Sequence, residues 1–203
     1  MTEWVKKTLG RMIREVAEAC PDHPALIFGN QRVSYRLLWE KARTLAKGLM
    51  AVGVGHGDKV SIWAGNSPEW IYTQLATSFI GAVLVPVNTR FRTSELEYIL
   101  GQSDSTALLM VNQFLNIDFL AMVTEIFPEI TIGSSGQIRS ARLPLLKNVI
   151  FLDEKKPTGA LRLMEVMARG EKISDAKLES RMGQVQPDDV ILLQYTSGTT
   201  AFP

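Results

Sequence analysis

The sequence predicts an α/β protein with a mostly parallel β-sheet and helices on both of its faces. Two observations predict this class. Short runs rich in Val, Ile and Leu alternate along the chain with longer segments whose apolar residues recur at helical spacing. The central runs are continuously apolar, as in strands that are buried on both faces. Strands that alternate with helices favour parallel neighbours joined by crossover helices.

The first predicted elements are a helix and a hairpin. Apolar residues at helical spacing predict an amphipathic helix over 8–20, and Pro21 ends it. Two β-like runs at 25–28 and 32–35 flank a Gly-Asn turn, which favours a hairpin. Ser34 is then placed to cap a long helix that ends before Gly53.

The remaining elements alternate between strand and helix. Asn66-Ser67-Pro68-Glu69 is the clearest helix start, with a capping residue, a proline at the first position and an early acid. We predict strands at 59–64, 82–87, 106–111 and 148–152, and helices at 67–80, from Thr93 or Ser94, at 117–127, at 161–169 and from Ser174. The Gly/Ser-rich stretch 131–142 is predicted to be an excursion or linker.

Composition excludes several classes of protein. The chain is 46% hydrophobic and 21% charged, with a net charge of +1, which is ordinary for a globular domain and gives no basic field for nucleic acid. The single cysteine, Cys20, and an N-terminus without signal-peptide character predict a cytoplasmic, reducing location. The uncharged stretch 70–89 has the length of a membrane span, but its polar residues and Pro86 favour a buried helix–strand pair.

Few side chains indicate catalysis. The adjacent acids Asp153-Glu154 and Asp188-Asp189 lie in turn-like sequence and are interpreted as solvated turn residues. His23 and His56 have no evident partner acid or nucleophile, so both are interpreted as loop residues, and no His/Cys metal site is expected. No catalytic residue is predicted.

The end of the chain is the strongest candidate for a binding site. Residues 190–194 read as a buried apolar strand, which runs into Thr196, Ser197, Gly198, Thr199 and Thr200. Hydroxyl side chains and a flexible glycine at a strand end form a concavity of donors that suits phosphate. Ligands of α/β sheets bind outside the carboxyl ends of the strands, so position and chemistry agree.

This loop resembles the signature loop of the adenylate-forming superfamily, which includes acyl-CoA synthetases. Two earlier segments are similar to motifs of the same superfamily, in the expected order: Val33-Ser34-Tyr35-Arg36-Leu37-Leu38 and Phe79-Ile80-Gly81-Ala82-Val83-Leu84-Val85-Pro86-Val87-Asn88. Segments 53–60, 66–70 and 86–91 also resemble the acyl-CoA synthetase branch. The resemblance covers nearly the whole chain.

The resemblance implies a two-step reaction. A carboxylate attacks the α-phosphate of ATP to give an acyl-adenylate and pyrophosphate, and the thiol of coenzyme A then takes the acyl group. The loop residues 196–200 would hold the ATP phosphates, and Thr196 would also bind Mg²⁺. The substrate would be a small carboxylic acid, with a fatty or other hydrophobic acid favoured. Peripheral membrane contact and the oligomeric state stay open.

The sequence departs from the family pattern at its end. Ala201 stands where the family has glycine, and the loop lysine, the nucleotide motifs and the C-terminal domain would all lie downstream of Pro203. We therefore expect the N-terminal portion of an AMP-binding domain over 1–203, truncated in its phosphate loop and inactive alone. One alternative is a non-catalytic nucleotide-binding or interaction module. Another, an unrelated flavodoxin-like nucleotide binder, does not explain three ordered motifs.

Overall fold

A computed structural model describes residues 5–131 and 138–196. The chain begins with helix α1 (Leu9–Ala19), the antiparallel hairpin of β1 (Pro24–Phe28) and β2 (Gln31–Ser34), and the long helix α2 (Tyr35–Ala51). The side chains of Thr8 and Ser34 cap the two helices by accepting the backbone N–H groups of Arg11 and Leu37. The predicted first helix, hairpin and second helix are confirmed.

The rest of the chain alternates between strands and helices. In order, the elements are β3 (Lys59–Trp63), α3 (Pro68–Phe79), β4 (Val83–Pro86), α4 (Thr93–Gln102), β5 (Ser105–Met110), β6 (Gln113–Phe114), β7 (Ile117–Asp118), α5 (Phe119–Ile126), β8 (Asn148–Phe151), β9 (Leu161–Arg162), α6 (Leu163–Arg169) and α7 (Asp175–Gln184). Short 3₁₀ helices lie at Pro128–Thr131 and Gly170–Lys172.

Five of the strands form one sheet in the order β4–β3–β5–β8–β9, and every neighbouring pair is parallel. Successive residues of each strand point to opposite faces, and both faces are apolar. On one face, Val60, Leu84 and Leu109 pack in a core shared with α2, α3 and α6. On the other, Val85 and Leu108 pack with α4 and α5. The predicted α/β fold, a parallel sheet with helices on both faces, is confirmed.

The stretch 70–89 forms most of α3 and all of β4. Ser67 caps α3 and Pro68 is its first residue, as the sequence predicts. From residue 70 onward most of the helix is buried against α2 and the sheet, which explains why this part carries no charge. Within residues 5–131 and 138–196, no helix is long and apolar enough to cross a membrane.

The starts of helices α4, α5 and α6 differ from the prediction. Helix α4 is preceded by Arg92, whose backbone N–H donates to the Glu95 carboxylate at 2.7 Å, so neither Thr93 nor Ser94 is its cap. Helix α5 begins two residues late, because Ile117–Asp118 pairs with Gln113–Phe114 in a small hairpin. Leu161–Arg162 joins the sheet as β9 before α6 begins.

The predicted excursion over 131–142 is partly described. Thr131 ends a 3₁₀ helix, and Ile138 is buried in the second core, where its N–H donates to the Lys147 carbonyl at 2.8 Å. Residues 132–137 lie outside the described part of the chain. Both flanks of this stretch therefore belong to the packed domain.

Candidate functional site

The strand order identifies one place where a nucleotide could bind. In the sheet, β4 lies on one side of β3 and β5 lies on the other. The connection that leaves β3 leads to β4 and the one that leaves β5 leads toward β8, so the two connections diverge at the carboxyl edge of the sheet. In doubly wound folds with this order, the crevice at such a switch point binds the ligand. The flavodoxin-like alternative requires this crevice to be open.

Aromatic side chains occupy the space beyond these two strand ends. The Trp63 ring stacks on Phe119, with centroids 3.6 Å apart and an interplanar angle of 4°, and its indole N–H donates to the Asn88 carbonyl at 3.1 Å. Phe114 lies against the backbone of Gly65, where a Cβ would be only 2.2 Å from the ring. The switch point is therefore part of the core, which argues against the flavodoxin-like alternative.

The segment that leads to the predicted phosphate loop, residues 190–196, is called here the terminal segment. It lies along the outer side of β4 through one parallel bridge between Leu84 and Leu192. The Leu84 N–H donates to the Ile191 carbonyl at 3.0 Å, and the Leu193 N–H donates to the Leu84 carbonyl at 2.9 Å. The terminal segment runs in the direction of a sixth parallel strand, but its pairing with β4 is limited to this bridge.

The prediction of a buried strand over 190–194 is wrong in both extent and burial. The next ladder donor on this side of β4 would be the N–H of Pro86, which proline lacks. Val190 is 64% exposed, and Leu192 and Leu193 are each 38% exposed. The run was predicted to be buried on both faces, whereas its backbone pairs with β4 at one bridge and these three side chains are exposed.

A side-chain pair lies immediately before the terminal segment. His56, in the loop between α2 and β3, places Nε2 3.1 Å from Oδ2 of Asp189. The same Oδ2 accepts the Gln186 N–H at 2.9 Å. The hydrogen bond from the Gln186 N–H, and to a smaller extent the one from His56, holds the pKa of the Asp189 carboxyl below its ordinary value. Asp189 is therefore ionised, and His56 is the donor in the pair.

Two sequence-based interpretations are thereby corrected. His56 was expected to have no partner acid, and Asp189 was expected to be a solvated turn residue, but the fold pairs them across 133 positions. Asp153 is likewise more than a solvated turn residue, because its carboxylate accepts the backbone N–H and the side-chain amide of Asn112. No local pattern connects residues this distant in sequence, although the glycines beside His56 mark a tight turn.

Of the predicted loop, the structure describes only its first residue. Thr196 is exposed. The preceding Tyr195 packs against the second core, and partial burial, with smaller effects of Tyr98 and Asp104, raises the pKa of its phenol. Ser197, Gly198, Thr199 and Thr200 lie outside the described residues.

The acids of the described residues do not form a metal cage. Over 5–131 and 138–196, no group of three or more His, Cys, Asp and Glu side chains is arranged to hold a metal ion. Mg²⁺ commonly keeps several waters and binds through one or two protein oxygens and the phosphates of its substrate. The exposed hydroxyl of Thr196 is compatible with that limited role.

Comparison with known proteins agrees with the motifs. A family model described as AMP-binding enzyme matches residues 13–203. The chain is 40% identical, over its full length, to the Bacillus subtilis protein YngI, whose name assigns it provisionally to the acyl-CoA synthetases, and covers 37% of that protein. It is 35% identical to the rat mitochondrial medium-chain acyl-CoA ligase ACSF2, with 98% of this chain and 33% of the ligase covered.

Solved structures agree on the fold. The anthranilate CoA ligase AuaEII, solved in complex with anthranoyl-AMP, superposes with a TM-score of 0.79 at 21% identity, and the match covers 99% of this chain and 34% of the ligase. The chain thus spans about a third of the length of the curated relatives it matches.

Proposed function

Because the chain belongs to the AMP-binding enzyme family, we propose that it is the N-terminal portion of an ATP-dependent carboxylate–CoA ligase. In the first step, a carboxylate oxygen attacks the α-phosphorus of ATP, the bond to the β-phosphate breaks and pyrophosphate leaves. In the second, the thiol sulfur of coenzyme A attacks the acyl carbonyl and AMP leaves. Acyl-CoA ligases among the relatives support this reaction class.

The proposed binding residues are Thr196, Ser197, Gly198, Thr199 and Thr200. The observation that carries this assignment is the terminal segment, which runs parallel to β4 and presents an exposed Thr196 at its end. Hydroxyl and backbone N–H donors at this position would bind the phosphates that become pyrophosphate. Thr196 is the proposed protein ligand of Mg²⁺, an ion that neutralises phosphate charge when it is bound.

The remaining groups of the reaction are proposed to come from residues beyond 203. The chain covers about a third of its relatives, and Val190, Leu192 and Leu193 of the terminal segment are apolar and exposed, as expected of a surface that further chain covers. The proposed substrate is a fatty or other hydrophobic acid, since the rat relative is named for medium-chain acyl groups. A cytoplasmic location stays a prediction.

Two measurements on the purified 203-residue chain test the proposal. We expect no carboxylate-dependent exchange between ATP and pyrophosphate, and clear exchange would overturn the proposed inactivity. We also expect Mg·ATP to raise the unfolding temperature, since ligand at about 100 times its Kd stabilises by ~2.7 kcal/mol. Absence of this shift would contradict ATP binding by the chain.

A matched pair of variants locates the site. Thr196→Ala removes a proposed phosphate and magnesium contact, so we expect it to reduce the shift caused by Mg·ATP. Thr158→Ala removes the hydroxyl of another exposed threonine, in the turn before β9, and we expect the full shift. An undiminished shift in Thr196→Ala would place ATP elsewhere and favour a different nucleotide-binding module.

A further inference from the structure

The loop between α2 and β3 is shaped around His56. Gly55 N–H donates to the Asp58 carboxylate at 2.8 Å, and Gly57, with φ of +78°, donates its N–H to the Gly81 carbonyl at 2.8 Å. The imidazole of His56 lies on the backbone of Gly81, where a Cβ would be 2.2 Å from its Cδ2. Only glycine leaves room for the ring at this position, and the φ of +72° at Gly81 also favours glycine.

Asp189, the partner of His56, is also held in place by hydrogen bonds. Asp189 closes a turn through its own N–H, which donates to the Gln186 carbonyl at 3.1 Å, and through its carboxylate, which accepts the Gln186 N–H. The same carboxylate also interacts with His56. The side chains of His56 and Asp189 are 44% and 25% exposed, so the pair lies at the surface but not in free solvent.

We propose that His56 and Asp189 are a positioning pair that holds the terminal segment in register on β4 and thereby sets the location of Thr196. The pair joins the loop before β3 to the residue that directly precedes the segment. Three residues later lies Leu192 of the Leu84–Leu192 bridge, and at Pro86 the backbone ladder loses its donor. A segment with so short a ladder depends on its upstream anchor for its register.

This inference rests on the proposed function for the role of Thr196, but the anchoring itself does not. A single hydrogen-bonded pair at the surface contributes little to global stability, so removal of the His56 side chain should act locally. The two amides of the bridge, those of Leu84 and Leu193, report on the attachment of the segment. The Val87 N–H, which donates to Ile62 at 2.9 Å on the opposite side of β4, reports on the sheet itself.

The experiment compares three variants of the 203-residue chain by amide hydrogen exchange. His56→Ala removes the donor to Asp189, and we expect exchange at Leu84 and Leu193 to accelerate roughly two- to fivefold, with Val87 unchanged. His56→Gln keeps a donor at a similar distance from the backbone, and we expect it to restore slow exchange. His23→Ala, which changes the other histidine, on an exposed turn before β1, should behave as the unmodified chain.

The outcomes separate the anchoring from the nucleotide site. Unchanged exchange at Leu193 in His56→Ala, or equal acceleration at Val87, would overturn the positioning role. If exchange responds as expected, the unfolding shift caused by Mg·ATP should fall in His56→Ala and recover in His56→Gln. A full shift in His56→Ala would refute the link to Thr196. No shift in the unmodified chain would refute the proposed function, while the exchange result would still decide the anchoring.

Discussion

Two glycines allow helix α2 to cross the end of α6 at close range, and replacing one of them should destabilise the fold. A Cβ on Gly48 would lie 2.5 Å from the carbonyl oxygen of Val166 and 2.8 Å from its carbon. Opposite, a Cβ on Gly170 would lie 2.6 Å from the Gly48 nitrogen. The obstructing atoms are backbone, so Gly48→Ala cannot be accommodated by rotating a side chain.

The expected magnitude follows from two opposing effects. Alanine in place of glycine in a helix interior gains about 0.5–1 kcal/mol from backbone entropy. Overpacking a tight contact costs about 1–3 kcal/mol, and the upper half of that range applies where backbone must move. We therefore expect Gly48→Ala to lower the free energy of unfolding by about 1–2.5 kcal/mol. For a chain of this size, the unfolding temperature should fall by about 2–10 °C.

The assay is thermal and denaturant unfolding followed by circular dichroism, with two matched glycines as controls. Gly183, in α7, has nothing within 4 Å of an added Cβ, and in α4 the nearest atom to a Cβ on Gly101 is Leu143 Cδ2 at 3.7 Å. Both are helical, so their alanine variants should be neutral or stabilised by up to ~1 kcal/mol. If Gly48→Ala is as stable as these two variants, the close approach of α2 and α6 is refuted.

Two further predictions concern buried hydroxyls and an ion-pair network. Ser61 and Ser103 each place Oγ 2.7 Å from Oγ of Ser105, and all three residues are buried. Ser105→Ala leaves two hydroxyls without this partner, so it should lower the free energy of urea unfolding by about 1–3 kcal/mol. As a control, Ser180→Ala at an exposed position should change that free energy by less than ~0.5 kcal/mol. A cost equal to that of Ser180→Ala would contradict the hydroxyl chain. Partial burial would raise the pKa of Glu179, but hydrogen bonds from Arg43 and Arg14 outweigh it and hold that pKa below the ordinary value. A carboxyl with a lowered folded pKa stabilises the fold above its unfolded pKa of about 4.3 and loses this contribution as pH falls through the folded pKa. The unfolding temperature should thus fall less between pH 7 and pH 3 in Glu179→Gln than in the unmodified chain, and parallel pH profiles would argue against the network.

Much of the fold could be predicted because its signals are local. Ser67 and Pro68 specify a helix start within four residues, and the apolar run that forms β4 specifies a strand buried on both faces. The cap of α4 was assigned wrongly because two local signals compete at its start. Thr93 and Ser94 are good capping residues, but the Glu95 carboxylate reaches back to the Arg92 N–H and fixes the helix start one residue earlier.

The features that could not be predicted depend on contacts between distant residues. The aromatic filling of the switch point needs Phe114 to reach Gly65, and the anchoring of the terminal segment needs His56 to reach Asp189. Neither pair has a signature in either local sequence. Periodicity reports which side of an element is apolar, but it does not report which distant side chain covers it.

Pro86 connects the sequence motif to the arrangement of the candidate site. Its neighbours Val85 and Val87 face β3, where the Val87 N–H donates to Ile62, whereas the missing N–H of Pro86 faces the terminal segment. The proline therefore leaves β4 intact within the sheet but stops the ladder to Leu193 after one bridge. From that point the backbone of β4 no longer fixes the course of the chain toward Thr196. A site at the end of such a segment must be located by side chains, and within the described residues the packing of Tyr195 downstream and the His56–Asp189 pair upstream supply that location.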